Sequence, residues 1–307
     1  MSEPTAIFSG GTGRSGTTIV AKLLRCHPQI RASRPLEVRC ITDSAGLLDL
    51  CVGVRPNAPA RMRLLAAYPP ALMWEFERRM RGRWWRRTNR LGNASGLHRG
   101  IDEVQRDQLI RELRAMLRQD RLAAGRNFVV NLARAQGVVD ERYWIDTSPP
   151  NAANADLLHT IVPDARFVHM VRDGRDTMAS VLQESWGPDD PQAAAHWWAE
   201  RVMAAHRALA NVPKHLVRTV QLEAWWSQIV SGNTKASWNS WGFLIGGGCG
   251  RISPNTCRPN GADRGPGASG WRIREPWIRP IRRPPSSSWP PGSPPTSSAE
   301  LDPNVTS

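Results

Sequence analysis

Apolar positions along the first two-thirds of the chain alternate between two spacings. Short, nearly continuous runs fall at Ala6–Ser9, Tyr143–Ile145, Arg166–Val171 (RFVHMV) and Leu216–Leu222. Runs of that length read as strands buried on both faces. Between them, Thr17–Leu24, Ile41–Cys51, Leu72–Trp85, Val104–Leu117, Asn151–Ile161, Thr177–Trp186 and Gln192–Leu209 carry apolar residues at helical spacing. Asp102, with Gln105 three residues on, marks a helix start of the capping-box kind, and Cys26-His27-Pro28 marks a helix stop. Strands separated by helices predict an α/β fold, a parallel sheet sandwiched between two helical layers.

The pattern breaks near residue 223. Residues 224–307 hold 36 Pro, Gly or Ser and two Leu, yet also seven of the 14 Trp. This divides the chain into an α/β domain, 1–223, and a tail, 224–307, expected to be irregular. No apolar run reaches the ~18–20 residues of a membrane span. The start, MSEPTAIFSG, shows no basic segment followed by an apolar stretch. Five dispersed cysteines form no C-x-x-C pair, which fits a reducing compartment and a cytoplasmic location. The net charge of +14 comes from 38 Arg and 3 Lys against 27 acids, a field that attracts anions.

Two segments could focus that field. The first is Ser9-Gly10-Gly11-Thr12-Gly13-Arg14-Ser15-Gly16-Thr17-Thr18, between a strand and a helix. Glycines let successive N–H groups converge, and the helix N-terminus adds partial positive charge. A glycine turn with a hydroxyl cap is the plainer reading. Gly11 and Gly16 have the spacing of a P-loop, but Thr17 stands where that motif needs lysine, leaving Arg14 as the loop's cation. Gly11-x-Gly13-x-x-Gly16 also meets the dinucleotide pattern. Its supporting acid should end a second strand, whereas Glu37 lies in the unstrandlike stretch RASRPLEVR.

The second segment follows RFVHMV as Arg172-Asp173-Gly174-Arg175-Asp176, then a helix bearing Ser180. A parallel strand delivers its C-terminal end to the ligand edge of the sheet, so Arg172 arrives beside the glycine loop. Ser180 can lean back toward the same edge, because helical side chains tilt toward the N-terminus. In the plainer reading, Asp173 caps the helix and the arginines are solvated.

The pair GRSGTT and FVHMVRDGRD-x3-S, in this order, resembles the sulfotransferases that use 3′-phosphoadenosine 5′-phosphosulfate (PAPS), in particular a bacterial branch similar to tyrosylprotein sulfotransferases. Further matches are Cys26-His27-Pro28, Glu37-Val38-Arg39, DTSPPN at 146–151, PDARF at 163–167 and Trp197-Trp198-Ala199-Glu200-Arg201. The resemblance covers residues 5 to about 223. It implies a P-loop-like nucleotide-binding core with a helical acceptor region. Arg14, Ser15, Gly16, Thr17 and Thr18 would hold the 5′-phosphosulfate, and Arg172 and Ser180 the 3′-phosphate. Glu37 would be the base and Arg14 the stabiliser of the leaving oxygen, with no metal. A surface Glu37–Arg39 ion pair is the competing reading of Glu37, and His27 and His169 are weaker base candidates. Thr147 departs from the family, standing where the tyrosylprotein branch carries a catalytic lysine.

The implied acceptor is a hydroxyl-bearing small molecule, sugar or glycolipid. The rival readings are a dinucleotide-dependent oxidoreductase and an inactive or nucleic-acid-binding protein. The latter rests on RRMRGRWWRRTNR at 78–90, with seven Arg and two Trp. A helical lid, or an acceptor wall with Trp84 or Trp85 against a sugar, is preferred for that stretch. After Glu223 the family continues Glu-Asp-Leu-Val, where this chain reads Glu223-Ala224-Trp225-Trp226. One base deleted from codons for the former yields the latter, so the tail is expected to be an out-of-frame translation that impairs activity, with a real but unusual tail as the alternative.

Overall fold

The computed structural model describes residues 3–230, apart from 26, 56–57, 89–91 and 93. Strand β1 (Thr5–Gly11) leads into helix α1 (Thr17–Leu24), and β2 (Ile30–Ala32) follows. A wholly helical stretch comes next: α2 (Arg39–Thr42), α3 (Leu47–Cys51), α4 (Ala60–Ala67), α5 (Pro69–Arg81), α6 (Glu103–Met116) and α7 (Arg121–Ala135). The chain then returns through β3 (Tyr143–Asp146), α8 (Ala155–Ile161), β4 (Arg166–Val171), α9 (Gly174–Val181), α10 (Pro191–Ala210), β5 (Val217–Gln221) and α11 (Leu222–Val230).

The five strands are all parallel, in the order β2-β3-β1-β4-β5. Alternate side chains enter two separate cores, as the period of two requires. Ala6, Phe8, Trp144 and Phe167 join residues of α2, α3 and α5–α8 on one face. Ile7, Tyr143, Ile145, Val168 and Met170 meet Val20 and Leu24 of α1 and Trp225 of α11 on the other. This is the expected three-layer arrangement. Because every strand points the same way, the loops after β1, β2, β3 and β4 emerge at one edge.

Several elements differ from the sequence reading. Residues 41–51 form two short helices broken at 43–46, where the N–H of Ala45 bonds the Asp49 carboxylate at 2.6 Å. Residues 149–154 form a 3-10 turn before α8 rather than its first turn. The RASRPLEVR stretch contributes Arg31 and Ala32 to strand β2, whose register is fixed by β3. Helix α7, absent from the sequence reading, buries Phe128, Val129 and Leu132 beside the small Ala124, Gly125 and Ala133; a Cβ on Gly125 would sit 2.8 Å from Ile161 and 3.0 Å from the Cys51 sulfur. Asp102 and Gln105 do form the reciprocal capping box of α6. Helix α11 runs through position 223, and Trp225 is buried. The rest of the expected tail, 231–307, lies outside the described residues.

Candidate functional site

Strand β1 is pressed so closely by its neighbours at its C-terminal end that only glycine fits. A Cβ on Gly10 would lie 2.2 Å from the Ala152 nitrogen, and one on Gly11 would lie 2.4 Å from Ser15 Oγ and 2.5 Å from the Met170 carbonyl. The chain then turns through left-handed residues: Gly13 at φ 85°, Arg14 at φ 58° and Gly16 at φ 92°. Arg14 lacks glycine's freedom there. Its carbonyl accepts a hydrogen bond from Arg172 Nη1 at 3.1 Å, so the second motif braces the first.

The loop opens onto the start of α1. Gly16 caps this helix without any side-chain bond, so no side chain takes up the first-turn N–H groups. Ser15 is 1% exposed, and its Oγ has no hydrogen-bond partner. A buried orphan hydroxyl is costly, and one beside open helical N–H groups suits an incoming anion. Thr17 is buried and Thr18 exposed. Above the loop, Arg14 Nε donates to Ser180 Oγ at 3.0 Å, and its Nη1 lies 3.4 Å from Glu184 Oε1.

Asp173 caps α9 by accepting the Arg175 N–H. Its carboxylate also takes two bonds from the Arg175 guanidinium, which holds its pKa down at about 2. Capping falls to Asp173, and Arg172 is left facing the loop. Arg175 is spent on Asp173, while Arg172, 24% exposed, lies 3.8 Å from Asp176 and against the loop.

Helix α10 backs both turns. Trp197 stands next to Gly13, and Trp198 packs so near Gly174 that a Cβ there would be 2.9 Å from the indole. Leu222, at the start of α11, closes over Gly16, and Glu223 accepts the Asp173 N–H at 2.9 Å. Glu184, Glu223 and these two tryptophans were not among the expected site residues. Trp197-Trp198 was visible as a matching motif; Glu184 and Glu223 had no local signal, because their partners are distant in sequence.

Arg14, Ser180 and Arg172 are thus brought together. Glu37 lies on the same sheet edge but follows β2, separated from β1 by β3, about 10 Å across two strand spacings. Its carboxylate is 37% exposed and 3.4 Å from Arg39 Nη2, so the ion pair named as the alternative is present. The segment is fastened to the end of β3. Asp146 Oδ1 accepts from the N–H of Val38 at 2.8 Å and from Ser148, and Oδ2 accepts from Asn151 at 2.8 Å. Burial pushes the Asp146 carboxyl up to about 7, against these donors. Thr147 is fully buried, its hydroxyl donating to the Leu36 carbonyl at 2.9 Å.

His27 accepts the Gln29 N–H on Nδ1, and burial lowers its pKa. His169, inside β4, is lowered to about 4 by burial and by His206. In both, burial disfavours the charged imidazolium. The basic stretch at 78–90 is not a stacking surface: Trp84 and Trp85 are 2% and 4% exposed. Arg78 and Arg79 pair with Glu75, Arg81 with Glu77 and Asp107, and Arg83 with Asp43.

The strand order also conflicts with a dinucleotide fold, which needs β2 beside β1 to bring its ribose-binding acid to the glycine turn. Here β3 lies between them. Among the described residues, no cluster of His, Cys, Asp or Glu could hold a metal, and no helix is long and apolar enough to cross a membrane.

Among solved structures, the chain is similar to the sulfotransferase domain of the curacin biosynthetic pathway, with 16% identity, 82% of this chain and 76% of that one covered, and a TM-score of 0.49. It is also similar to a sulfotransferase of Mycobacterium avium (13% identity, 84% and 67% covered, TM-score 0.45) and to one of Alicyclobacillus acidocaldarius (14%, 83% and 89%, TM-score 0.42). No protein of curated function matches. The profile of the sulfotransferase family matches residues 4–228, nearly three-quarters of the sequence and both motifs. The chain belongs to the sulfotransferase family.

Proposed function

We propose that this protein transfers a sulfuryl group from PAPS to a hydroxyl of a small molecule, sugar or glycolipid. The observation that carries this reading is the meeting of Arg14 with Ser180 and Arg172, residues more than 150 positions away in the chain. Two cations and two hydroxyls converge where the glycine loop and the strand-end motif emerge together. The orphaned Ser15 Oγ and the uncapped start of α1 suit the 5′-phosphosulfate. Arg172 and Ser180 suit the 3′-phosphate, which neither ATP nor NAD carries. When bound, the donor supplies an activated sulfur whose bond to the 5′-phosphate breaks as the acceptor oxygen attaches.

The chain's own residues do the rest. Ser15, Gly16, Thr17 and Thr18 orient the 5′ end through N–H and hydroxyl donors. Arg14 leaves Ser180 and Glu184 to meet the oxygen on which negative charge grows, where a fixed cation counts most. Glu37 takes the acceptor's proton, with the Arg39 guanidinium 3.4 Å from its carboxylate.

Calorimetry with adenosine 3′,5′-bisphosphate, ATP and NADPH tests the donor assignment. Tightest binding of the bisphosphate is expected; equal or tighter binding of ATP or NADPH refutes it. Glu37→Gln should lower turnover by about 10²–10⁴-fold, and a fully active variant would move the base elsewhere.

A further inference from the structure

Glu37 sits in an irregular segment between β2 and α2, where no secondary structure fixes its direction. Both peptide groups flanking it are nevertheless gripped, and by consecutive residues. On the N-terminal side, the Leu36 carbonyl accepts two hydrogen bonds from Thr147, one from its N–H and one from Oγ1, each 2.9 Å. On the C-terminal side, the Val38 N–H donates to the Asp146 carboxylate at 2.8 Å. Asp146 is itself fixed by Ser148 and by Asn151, whose Nδ2 also donates to the Ser9 carbonyl of β1 at 3.2 Å. Asp146, Thr147, Ser148 and Asn151 are all at most 1% exposed, and Val38 is fully buried.

We propose that Asp146 and Thr147 form a two-sided clamp that positions Glu37 against the edge of the sheet that carries the anion loop. This rests on the base role proposed for Glu37. The physical reason is leverage. A carboxylate on an unsupported loop samples many directions, and misplacement by 1 Å is enough to cost a large part of the rate. Fixing the carbonyl before Glu37 and the N–H after it defines the path of its backbone, so its side chain leaves from one place. Asn151 joins the clamp to β1, the strand that leads into the glycine loop, so base and anion loop share one rigid support. The clamp also gives a task to the position at which a lysine is replaced: Thr147 contributes a short hydroxyl that stays inside and holds the neighbouring segment.

Thr147→Val tests this in the full chain, since it removes one hydroxyl bond and preserves shape. Two readouts apply. In the first, the Val38 amide should exchange with solvent about 10-fold faster, and the Glu37 carboxyl carbon signal should broaden, in chain labelled with ¹³C-glutamate. In the second, PAPS turnover is followed with phenol, N-acetylglucosamine and water as acceptors. The rate constant kcat should fall about 3- to 10-fold, the equivalent of one neutral hydrogen bond, with adenosine bisphosphate affinity unchanged. Thr147→Ser should restore both readouts. In a Glu37→Gln background, Thr147→Val should have no further effect on turnover. Unchanged Val38 exchange and Glu37 signal would overturn the clamp, as would an equal loss of turnover in both backgrounds. Full turnover by Glu37→Gln alone would instead remove the base role on which the clamp depends, a distinguishable result.

Discussion

Replacing Arg172 with alanine tests the proposal that the donor's two anionic groups are held at separate sites. In the structure this guanidinium donates a hydrogen bond to the Arg14 carbonyl at 3.1 Å and approaches Asp176 to 3.8 Å. If Arg172 also binds a 3′-phosphate, alanine removes a charge-assisted contact of about 1.5–3 kcal/mol together with the support of Arg14, about 0.5–1.5 kcal/mol. The two together, about 2–4.5 kcal/mol, correspond to a loss of about 30- to 2,000-fold in the affinity for adenosine 3′,5′-bisphosphate. Adenosine 5′-phosphate, which can feel only the loosened loop, should lose no more than about 10-fold. The decisive quantity is the ratio of the two affinities, measured by calorimetry on wild type and variant at one ionic strength. Raising the salt should shrink the bisphosphate loss more than the monophosphate loss, since the exposed 3′ contact is screened. Equal losses for the two ligands would place the 3′-phosphate elsewhere and leave Arg172 as a loop brace.

Glu184→Gln removes a carboxylate that holds Arg14 in the ligand-free state; a partly exposed pair is worth up to about 1 kcal/mol, so bisphosphate should bind about 2- to 5-fold tighter in calorimetry, and weaker binding would contradict this. Gly11→Ala drives a Cβ into Ser15 Oγ and the Met170 carbonyl, so the melting temperature should fall by several degrees, with donor binding lost; an unchanged melting curve would refute the tight approach. His169 titrates near 4 when folded and near 6.5 when unfolded, so below 6.5 the unfolded chain binds more protons and stability falls as pH drops through 4. His169→Asn should flatten that acid limb by one proton's slope, about 1.4 kcal/mol per pH unit, in urea denaturation between pH 6.5 and 4.5; parallel curves would show that His169 is not responsible. Resequencing the gene should reveal a single-base deletion after the Glu223 codon, and restoring it should raise turnover; an intact frame would establish the tail as native.

The sequence by itself determined what local rules govern. Apolar runs marked β1, β3 and β4, the more polar and more exposed β5 was read from Leu216–Leu222, and the alternation of strands with amphipathic helices determined the three-layer class. Asp102 and Gln105 announced the cap of α6 because a capping box closes within four residues. Both segments of the candidate site stood out in the sequence because a glycine turn and a strand-end arginine are each local patterns of about ten residues or fewer. Helix α7 was not read, although it buries Phe128, Val129 and Leu132; its close packing through Gly125 against Ile161 and Cys51 depends on residues distant in the chain. The burial of Trp84 and Trp85, and the pairing of the arginines around them, depends on acids contributed by α5, α6 and the segment after α2, so a basic stretch read alone was misleading.

Only the tertiary structure decided which charges meet. Arg14 finds Ser180 and Glu184, Arg172 finds the Arg14 carbonyl, and Asp173 finds Glu223, all through the adjacency of β1, β4 and β5. The insertion of β3 between β1 and β2 separated Glu37 from the glycine turn and put Asp146 and Thr147 on either side of it. Strand order is set by which crossovers bury the most surface, a property of the whole chain. No window of the sequence states it, and the partners of every site residue follow from it.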